Sequence, residues 1–476
     1  MNPDETKKHS FKIIFSETLM FLAVVITVII LALLVSGYWL NSNFEVERNG
    51  MLQISSFPTG ADIEIDGKTS SWLERTNSSK ILSSGEHSVM LSKDGYDTWS
   101  KVVKVSEGLL YRLHYPRLFL NERVSSPITN TEKYTSATVS PNRNSLVLMN
   151  NTLRWGYLNL DSDEPKITPI DIPVLFSNSN QTESIPGDNT ETSTTTSESK
   201  NPDSFIGKIL QADWDFDSSH ILFKVQNNET VEWILLDIND PKKSINLTRE
   251  FGADFSRVEI LDNNSNTLLA VRNNNLHRID VPGRLVSAVL VENIFDFDHF
   301  RNEIIYSTTD NRVGYLKLGD AKSTELLKTN SPAKVAISRF YDDKYYTVLD
   351  EQTASIIKQD DADEEPLQYD FSFGPNRIKV GQDGEFLLFT NGKQIATLDM
   401  ESKQMREWTI ENDYGWIDNN MLYTINDGAL IVYDFDGYNR RTIAQDVTSG
   451  FPVTITNDKW LYYFKNDTLM RDIIAK

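Results

Sequence analysis

The stretch ADWDFDSSHILFKVQNNETVEWILLDI, residues 212–238, contains the pattern that decides the fold. An acidic and aromatic segment comes first, an apolar run over Ile221–Val225 follows, and a second run over Trp233–Ile238 includes Asp237 near its end. Short apolar runs that are rich in β-branched and aromatic residues and separated by polar turns are typical of β-strands. The stretch therefore predicts consecutive strands of one sheet.

Similar units recur from about residue 131 to the end of the chain. The clearest second copy runs from Tyr414 to Gly437, and fainter copies lie at 139–160 and 304–318. A period of roughly 35 to 40 residues is typical of a propeller or a solenoid. Asp-Gly, Asn-Asn and Asn-Asp turns between short alternating runs favour strands over the three-and-four spacing of a helical solenoid.

The repeats predict a β-propeller over residues 120–476. Their approximate centres at residues 150, 225, 270, 310, 345, 385, 425 and 460 allow seven or eight blades. Closure into a ring is the usual way in which such an array protects its edge strands. The alternative architecture is a pair of stacked β sandwiches.

Two segments carry a resemblance to known propeller families. Val139-Ser140-Pro141-Asn142 resembles the inner-strand signature of TolB-like and YVTN-type β-propellers, and Tyr433-Asp434-Phe435-Asp436-Gly437 resembles their turn signature. The resemblance implies four-stranded blades around a central channel.

A different pattern occupies residues 52–113, where apolar and polar residues alternate between glycines. Ile63 and Ile65 are expected on one face of a strand, and Asp66-Gly67 supplies a hairpin turn. A second pair of strands is predicted over 87–91 and 102–105, joined across 93–96. The segment predicts a small antiparallel β sandwich.

This segment resembles a PEGA domain, assigned to residues 50–114. The family pattern P-x-G-A, I-D-G, G-x-H and G-Y appears as Pro58-Thr59-Gly60-Ala61, Ile65-Asp66-Gly67, Gly85-Glu86-His87 and Gly95-Tyr96. Thr59 replaces a family Glu, and residues 70–79 replace a G-x-T-P segment, which affects the central hairpin most. The resemblance implies a non-catalytic β module of bacterial and archaeal surface proteins, with no defined ligand.

The N-terminus contains an uncharged run of 22 residues, Leu19–Leu40. A helix of this length spans a bilayer core of roughly 30 Å. Lys7, Lys8 and Lys12 precede the run and only Arg48 follows closely, so the positive-inside rule places the N-terminus in the cytoplasm. We predict a cytoplasmic tail at 1–12, an uncleaved transmembrane signal anchor at 13–40, and extracytoplasmic domains after it, in a single-pass protein of the cell membrane.

Composition restricts the setting and the partners. The net charge is −21, from 68 acidic and 47 basic residues, and such a surface repels nucleic acid. The chain contains no cysteine, which fits an exported protein of a bacterial cell envelope better than a eukaryotic surface protein. Residues 177–203 are rich in Ser, Thr, Asn and Glu and predict a disordered insertion in the propeller.

No local catalytic signature is present in the sequence. G-x-S-x-G, H-E-x-x-H and G-x-G-x-x-G are absent, and the six histidines include no close pair. The histidines are His9, His87, His114, His220, His277 and His299. We therefore predict no catalytic, cofactor-binding or metal-binding residues, no cofactor and no enzyme activity.

Three features required a choice between a ligand site and a structural role. Asp213, Asp215 and Asp217 have the spacing that begins an EF-hand loop, but Ser218 and Lys224 replace its Gly and Glu, so we predict one solvated strand face around buried Trp214 and Phe216. His87 has no metal-ligand partner nearby in sequence and is predicted to be structural. Core positions are also favoured over sugar-stacking positions for Trp214, Trp233, Trp408 and Trp416.

These features predict a membrane-anchored binding or scaffold protein whose propeller engages a protein or a wall glycan. One alternative is a propeller-based hydrolase or lyase that acts on envelope polymers, because blades can gather catalytic residues around the channel. Another alternative is an accessory subunit of a membrane export or wall-synthesis complex. The expected partners are the lipid bilayer and an envelope protein or glycan, and nucleic acid is excluded.

Overall fold

The regular secondary structure of the protein is almost all β-strand, in two compact units, Met1–Glu122 and Arg123–Ile474. The structure, a computed structural model, describes residues 17–32, 38–40, 46–69, 75–152, 154–172, 207–227, 230–261, 264–320, 323–359, 365–381, 383–410 and 414–476. The predicted tail at 1–12 and the predicted insertion at 177–203 lie outside these residues. The all-β fold class is confirmed.

The apolar N-terminal run is only partly helical. Helix α1 covers residues 17–32, whereas strand β1, Tyr38–Leu40, pairs with Val46–Arg48. Residues 38–40 are therefore strand, because β-favouring Tyr38 and Trp39 follow the helix breaker Gly37 and gain strand partners. The membrane anchor over 13–40 stays a prediction. Among the described residues no helix has both the length and the apolar character needed to cross a bilayer.

The strands of the first unit form two sheets. They are β1, β2 Val46–Ile54, β3 Asp62–Ile65, β4 Lys68–Thr69, β5 Ser78–Ser83, β6 Gly85–Ser92, β7 Trp99–Val105 and β8 Leu110–Leu113. One sheet has the order β1-β2-β5 with β8 also on β2, and the other has the order β4-β3-β6-β7. The predicted hairpins are present, but β2 and β8 are parallel, so the sandwich is not wholly antiparallel as predicted.

The strand faces and the β3–β4 turn of this unit agree with the sequence patterns that predicted them. Ile63 and Ile65 both face the core, and Trp99 is fully buried. Asp66 and Gly67 have φ values of 51° and 73°, so the β3–β4 turn uses the left-handed conformation that Gly tolerates best. Alternation of buried and exposed residues along β6 follows the two-residue period of a strand.

Within the described part of the second unit, eight four-stranded antiparallel sheets follow one another along the chain. Blades 1 to 4 are β10–β13 (Ser136–Val139, Ser145–Met149, Arg154–Asn159, Thr168–Asp171), β14–β17 (Lys208–Trp214, His220–Asn227, Thr230–Asp237, Ile245–Asn246), β18–β21 (Arg257–Leu261, Asn264–Arg272, Asn275–Asp280, Leu285–Val286) and β22–β25 (Ile294–Phe300, Glu303–Thr308, Arg312–Lys317, Thr324–Lys328). A short helix, α2 Leu247–Phe251, follows β17.

Blades 5 to 7 are β26–β29 (Lys334–Phe340, Asp343–Asp350, Thr353–Lys358, Leu367–Asp370), β30–β33 (Arg377–Val380, Phe386–Thr390, Gln394–Asp399, Met405–Thr409) and β34–β37 (Tyr414–Trp416, Met421–Asn426, Ala429–Asp434, Arg441–Ala444). Blade 8 combines β38–β40 (Thr454–Thr456, Trp460–Lys465, Thr468–Ile473) with β9 (Ser125–Asn130). Eight is one of the two blade numbers that the repeats allowed.

The last blade closes the ring. Strand β9, from the start of the unit, pairs with β40 at its end, so both ends of the propeller lie in one sheet. Apolar residues pack between neighbouring blades, as Trp155 of blade 1 does on Phe223 of blade 2 at 4.7 Å between ring centres. Leu146 of blade 1 and Tyr462 of blade 8 share another such layer. This circular order excludes the alternative of two stacked sandwiches.

Candidate functional site

The first strand of each blade faces the central channel. Residues of β18, β22, β26 and β30 line a cavity of about 530 Å³, which we call the charged cavity. A second cavity of about 380 Å³ is lined by residues of β10, β34 and β38 and of the segments next to them, with further residues from blades 6 and 7. A third and larger cavity of about 940 Å³ is lined by loop and strand-end residues of blades 6 and 7, including Gln394 and Asp427.

Arg257 organises one wall of the charged cavity. Its guanidinium lies 2.6 Å from a carboxylate oxygen of Asp296 and 2.5 Å from one of Glu259. It also donates a hydrogen bond of 2.8 Å to the carbonyl of Phe297 and covers that aromatic ring at 4.1 Å. The two carboxylates outweigh the effect of burial and raise the pKa of Arg257.

The carboxylates of β22 join blade 4 to blade 5. Asp296 accepts a hydrogen bond of 3.2 Å from the backbone N–H of Val335, and Asp298 accepts one of 2.9 Å from that of Ile337. The second oxygen of Asp296 is held by Arg257, and that of Asp298 accepts from the N–H of His299. Every oxygen of these two carboxylates therefore has a partner in the protein.

Burial dominates the acid–base behaviour of this wall. It raises the pKa of Glu259, although Arg257 and His299 act in the opposite direction. His299 Nε2 lies 3.6 Å from the Glu259 carboxylate. Burial also raises the pKa of Asp298. Such shifts are common at functional sites and in structural networks alike.

The opposite wall carries positive charge. Lys334 extends from β26 and reaches Asp296 at 3.7 Å. Arg377 and Lys379 lie two residues apart on β30, so both side chains project from the same face of the strand. Lost hydration, together with the neighbouring charge of Arg377, lowers the pKa of Lys379.

The second cavity combines aromatic and polar side chains. Trp416 and Tyr423 line it together with Arg143. The Arg143 guanidinium donates hydrogen bonds to the carbonyl of Ile417 at 3.0 Å and to the side chain of Asn419 at 3.3 Å. Arg143 therefore links blade 1 to blade 7, and its guanidinium makes its hydrogen bonds within the protein.

The acidic triplet of blade 2 does not form one strand face. β14 ends at Trp214, and Asp215 is buried in the following turn, where it accepts hydrogen bonds from the N–H groups of Ser219 and His220. Phe216 is 56% exposed and not buried as predicted. The strand-face interpretation is wrong because the strand is shorter than the alternation suggested. Asp213 remains on the inner strand, where burial raises its pKa.

The other candidate residues take structural positions. His87 is buried, with Nδ1 2.7 Å from Asp66 and Nε2 2.8 Å from the carbonyl of Ser83. Burial is the largest single influence on the pKa of His87 and lowers it, but the hydrogen bonds to Asp66 and to the Ser83 carbonyl, together with the Asp66 charge, raise the pKa above its ordinary value. Trp233 is in the core, as predicted, whereas Trp214, Trp408 and Trp416 are half-buried.

Comparison with family models identifies the first unit. Residues 49–116 match the family model of the PEGA domain. This segment is a PEGA domain. The Asp66–His87 pair therefore joins two signature motifs of the PEGA domain, the I-D-G turn and the G-x-H segment. No protein with curated annotation matches the chain.

Three solved structures are similar to parts of the chain. The C-terminal WD40 domain of Sif2 is similar with a TM-score of 0.47 and 11% identity, over 74% of this chain and 99% of that domain. Kluyveromyces lactis Hsv2 is similar with a TM-score of 0.38 and 14% identity, over 54% of this chain and 89% of that protein. An oligogalacturonate lyase in complex with manganese is similar with a TM-score of 0.37 and 15% identity, over 56% of this chain and 89% of the lyase. All three scores are below 0.5, so the propeller assignment rests on the strand pairing described above.

Sequence reasoning did not find the charged cavity. Arg257, Asp296 and Arg377 come from three blades and are far apart along the chain. The one local signal was the Arg-Ile-Lys-Val segment at 377–380, whose alternation places two cations on one face of an inner strand.

Proposed function

We propose that the protein is a membrane-anchored, extracytoplasmic binding or scaffold protein of the bacterial cell envelope, and that its propeller binds a partner protein at the charged cavity. The observation that carries this proposal is the cavity itself, with its ion-paired wall and its positive wall on four neighbouring blades. A volume of about 530 Å³ is within the range of natural ligand sites.

A protein partner suits the cavity better than a neutral glycan. Lys334, Arg377 and Lys379 present fixed positive charge, which a neutral sugar does not complement. Phe297 is the aromatic residue among the described lining residues, and the Arg257 guanidinium covers its ring. This ring is therefore unsuited to stacking on a sugar.

We propose binding and not catalysis at this site. General acid–base or nucleophilic chemistry needs a side chain that reaches the reactant. Asp296 and Asp298 use all four carboxylate oxygens within the protein, which suits them to positioning the blades.

The anchor is part of the same proposal. The uncharged run at 19–40 and the lysines before it support a single N-terminal span with the propeller outside the membrane. The PEGA domain follows the anchor in sequence, so it serves as a spacer between the anchor and the propeller.

Photo-crosslinking in intact cells tests the proposal. A benzophenone amino acid replaces Asn376, an exposed residue that lines the charged cavity, in the full-length protein. The matched control carries it at Lys328, which is exposed on the outermost strand of blade 4. We expect one reproducible protein adduct from position 376 that position 328 does not give. Equal adduct patterns from the two positions, or no adduct from either, would contradict the proposal.

A further inference from the structure

We propose that the charged cavity recognises an oxyanion, held by Arg377 and Lys379, and that this oxyanion is a side-chain carboxylate of an acidic peptide segment. This inference rests on the proposed function and specifies the chemistry of the partner. It depends on which charges of the cavity the fold already uses, which cations remain, and how much space surrounds them.

The carboxylates of the acidic wall are held by partners within the protein. Arg257 is shared by Glu259 and Asp296, and Glu259 also faces His299. The oxygens of Asp296 and Asp298 accept hydrogen bonds from blades 3, 4 and 5. This wall is a structural network, so a ligand must find its main attraction elsewhere.

The cations of β30 are different. Within the described part of the chain, neither Arg377 nor Lys379 has a hydrogen bond or an ion pair with another residue. The Lys379 ammonium lies over the ring of Tyr414 in blade 7, at 5.4 Å from its centre. Lys334, by contrast, already lies 3.7 Å from Asp296. Arg377 and Lys379 are therefore two cations on one strand face whose charges no described carboxylate neutralises.

Their spacing suits one oxyanion. Residues i and i+2 of a strand are about 6.6 Å apart and point the same way. The planar Arg fork binds a carboxylate through two parallel hydrogen bonds, and a neighbouring ammonium adds a point charge from the side. A bound anion also relieves the repulsion between the two cations. Lost hydration is the main cause of the lowered pKa of Lys379, and the neighbouring charge of Arg377 lowers it further.

The remaining space indicates that the anion belongs to a larger molecule. A free phosphate occupies a small part of a cavity of about 530 Å³. Val335, Ala336, Ile378 and Val380 also line the cavity, and the side chains of Ile378 and Val380 pack against the core between blades 5 and 6. Because the Phe297 ring is covered, the lining favours a peptide chain over an acidic sugar.

The test measures binding to the full-length protein in detergent micelles by calorimetry at physiological salt. The probes are an acetylated and amidated tetraglutamate peptide, the matching tetraglutamine peptide, inorganic phosphate and a galacturonate tetramer. We expect the tetraglutamate peptide to bind most tightly and the tetraglutamine peptide not to bind.

The variants assign the binding to its residues. Arg377→Gln and Lys379→Gln should each weaken tetraglutamate binding by about tenfold or more, since each removes a charge-assisted contact. Arg377→Lys should bind more tightly than Arg377→Gln because it restores the charge without the fork. Lys328→Gln, which removes an exposed lysine from an outer strand, should leave affinity unchanged. Equal urea midpoints of all variants show that the fold is intact.

Each contrary result has a defined meaning. Equal affinity of the natural protein and Arg377→Gln overturns the oxyanion site. Tighter binding of phosphate or of the galacturonate tetramer than of tetraglutamate overturns the peptide assignment. If position 376 captures a partner but tetraglutamate does not bind, this inference fails and the proposed function stands. If tetraglutamate binds through Arg377 but no partner is captured, the proposed function fails and the oxyanion site stands.

Discussion

Aspartate residues at strand ends explain the acidic steps that recur in the repeats. Asp237 accepts hydrogen bonds from the N–H groups of Asn239 and Asp240, and Asp399 accepts them from those of Glu401 and Ser402. The side chain of Asp or Asn can replace a backbone acceptor in this way and begin a turn. Part of the acidic composition is therefore a requirement of the blade turns and not a ligand site.

Asp215 is expected to be essential for the first turn of blade 2. It is 6% exposed and holds the N–H groups of Ser219 and His220 at 2.7 and 2.9 Å. Asp215→Ala should lower the unfolding free energy by about 2 to 3 kcal/mol, because charge-assisted hydrogen bonds are lost and buried donors are left unpaired. Urea unfolding of the full-length protein, followed by tryptophan fluorescence, measures the change.

The control for this prediction is Asp217→Ala, two residues away. Asp217 is exposed, so its removal should change the unfolding free energy by less than about 0.5 kcal/mol. Similar losses for the two variants would show that net charge, and not the turn, determines the effect.

The ion pair between Asp215 and His220 makes blade 2 sensitive to pH. His220 Nδ1 lies 3.0 Å from Asp215, and this hydrogen bond raises the pKa of His220 above its ordinary value of 6.5 despite burial. Burial raises the pKa of Asp215, but the hydrogen bonds from His220 and Ser219 lower it more, so the pKa is below its ordinary value of 3.8. The His220 contribution to stability is complete below pH 6.5 and is lost as the pH rises through the folded value. The Asp215 contribution is complete above pH 3.8 and is lost below it.

We therefore expect His220→Gln to destabilise the propeller more at pH 5.5 than at pH 8.5. Urea midpoints of both proteins at the two pH values measure the difference. In the Asp215→Ala background the difference between the two pH values should become smaller but not vanish, because Asp237, 3.8 Å from His220 Nε2, still faces the imidazolium. A pH dependence that is undiminished in this background would assign the effect to another group.

At the level of elements, strand β9 is the part of the propeller that closes the ring. Asn130 faces Thr468 in the register of β9 and β40. Facing residues of antiparallel strands have Cα atoms about 4.5 to 5.5 Å apart, which is within the range of a disulfide. Asn130→Cys with Thr468→Cys should therefore form a disulfide under oxidising conditions and stabilise the propeller by up to about 5 kcal/mol.

Thiol titration and urea unfolding, with and without reductant, measure this closure, and the chain has no other cysteine to interfere. Thr129→Cys with Thr468→Cys is the matched control, because Thr129 faces Leu469 and its side chain points to the other face of the sheet. Comparable disulfide yields from the two pairs would show that the register is different.

Many strands were predictable from sequence, because alternation and turn residues act locally. The hairpin at Asp66-Gly67 and the strands near residues 150, 225 and 425 lie where their patterns placed them. The contacts between elements were not predictable. Gly384 and Gly392 look alike in the sequence, yet a Cβ at Gly384 would lie 2.1 Å from the carbonyl oxygen of Arg339 in the preceding blade, whereas one at Gly392 meets nothing within 4 Å.

At the level of the whole molecule, the charged cavity also combines a feature that local sequence predicts with one that depends on contacts between blades. Two-residue alternation predicts that Arg377 and Lys379 share a strand face. That no described carboxylate of a neighbouring blade forms an ion pair with them is a property of the ring. The alternation of residues 212–217 misled for the opposite reason. A turn that begins at Asp215 stops the strand, and only the hydrogen bonds of that carboxylate show it.

Membrane topology is the prediction that involves the whole chain. The lysines before the uncharged run at 19–40 predict a cytoplasmic N-terminus and therefore a propeller outside the membrane. Because the chain has no cysteine, single cysteines report their side of the membrane without background. In spheroplasts treated with a membrane-impermeant maleimide, Lys328→Cys should be labelled, whereas Asn2→Cys should be labelled only after permeabilisation. The natural protein is the unlabelled control. Labelling of Asn2→Cys in intact spheroplasts, or protection of Lys328→Cys, would contradict the orientation on which an extracytoplasmic binding role depends.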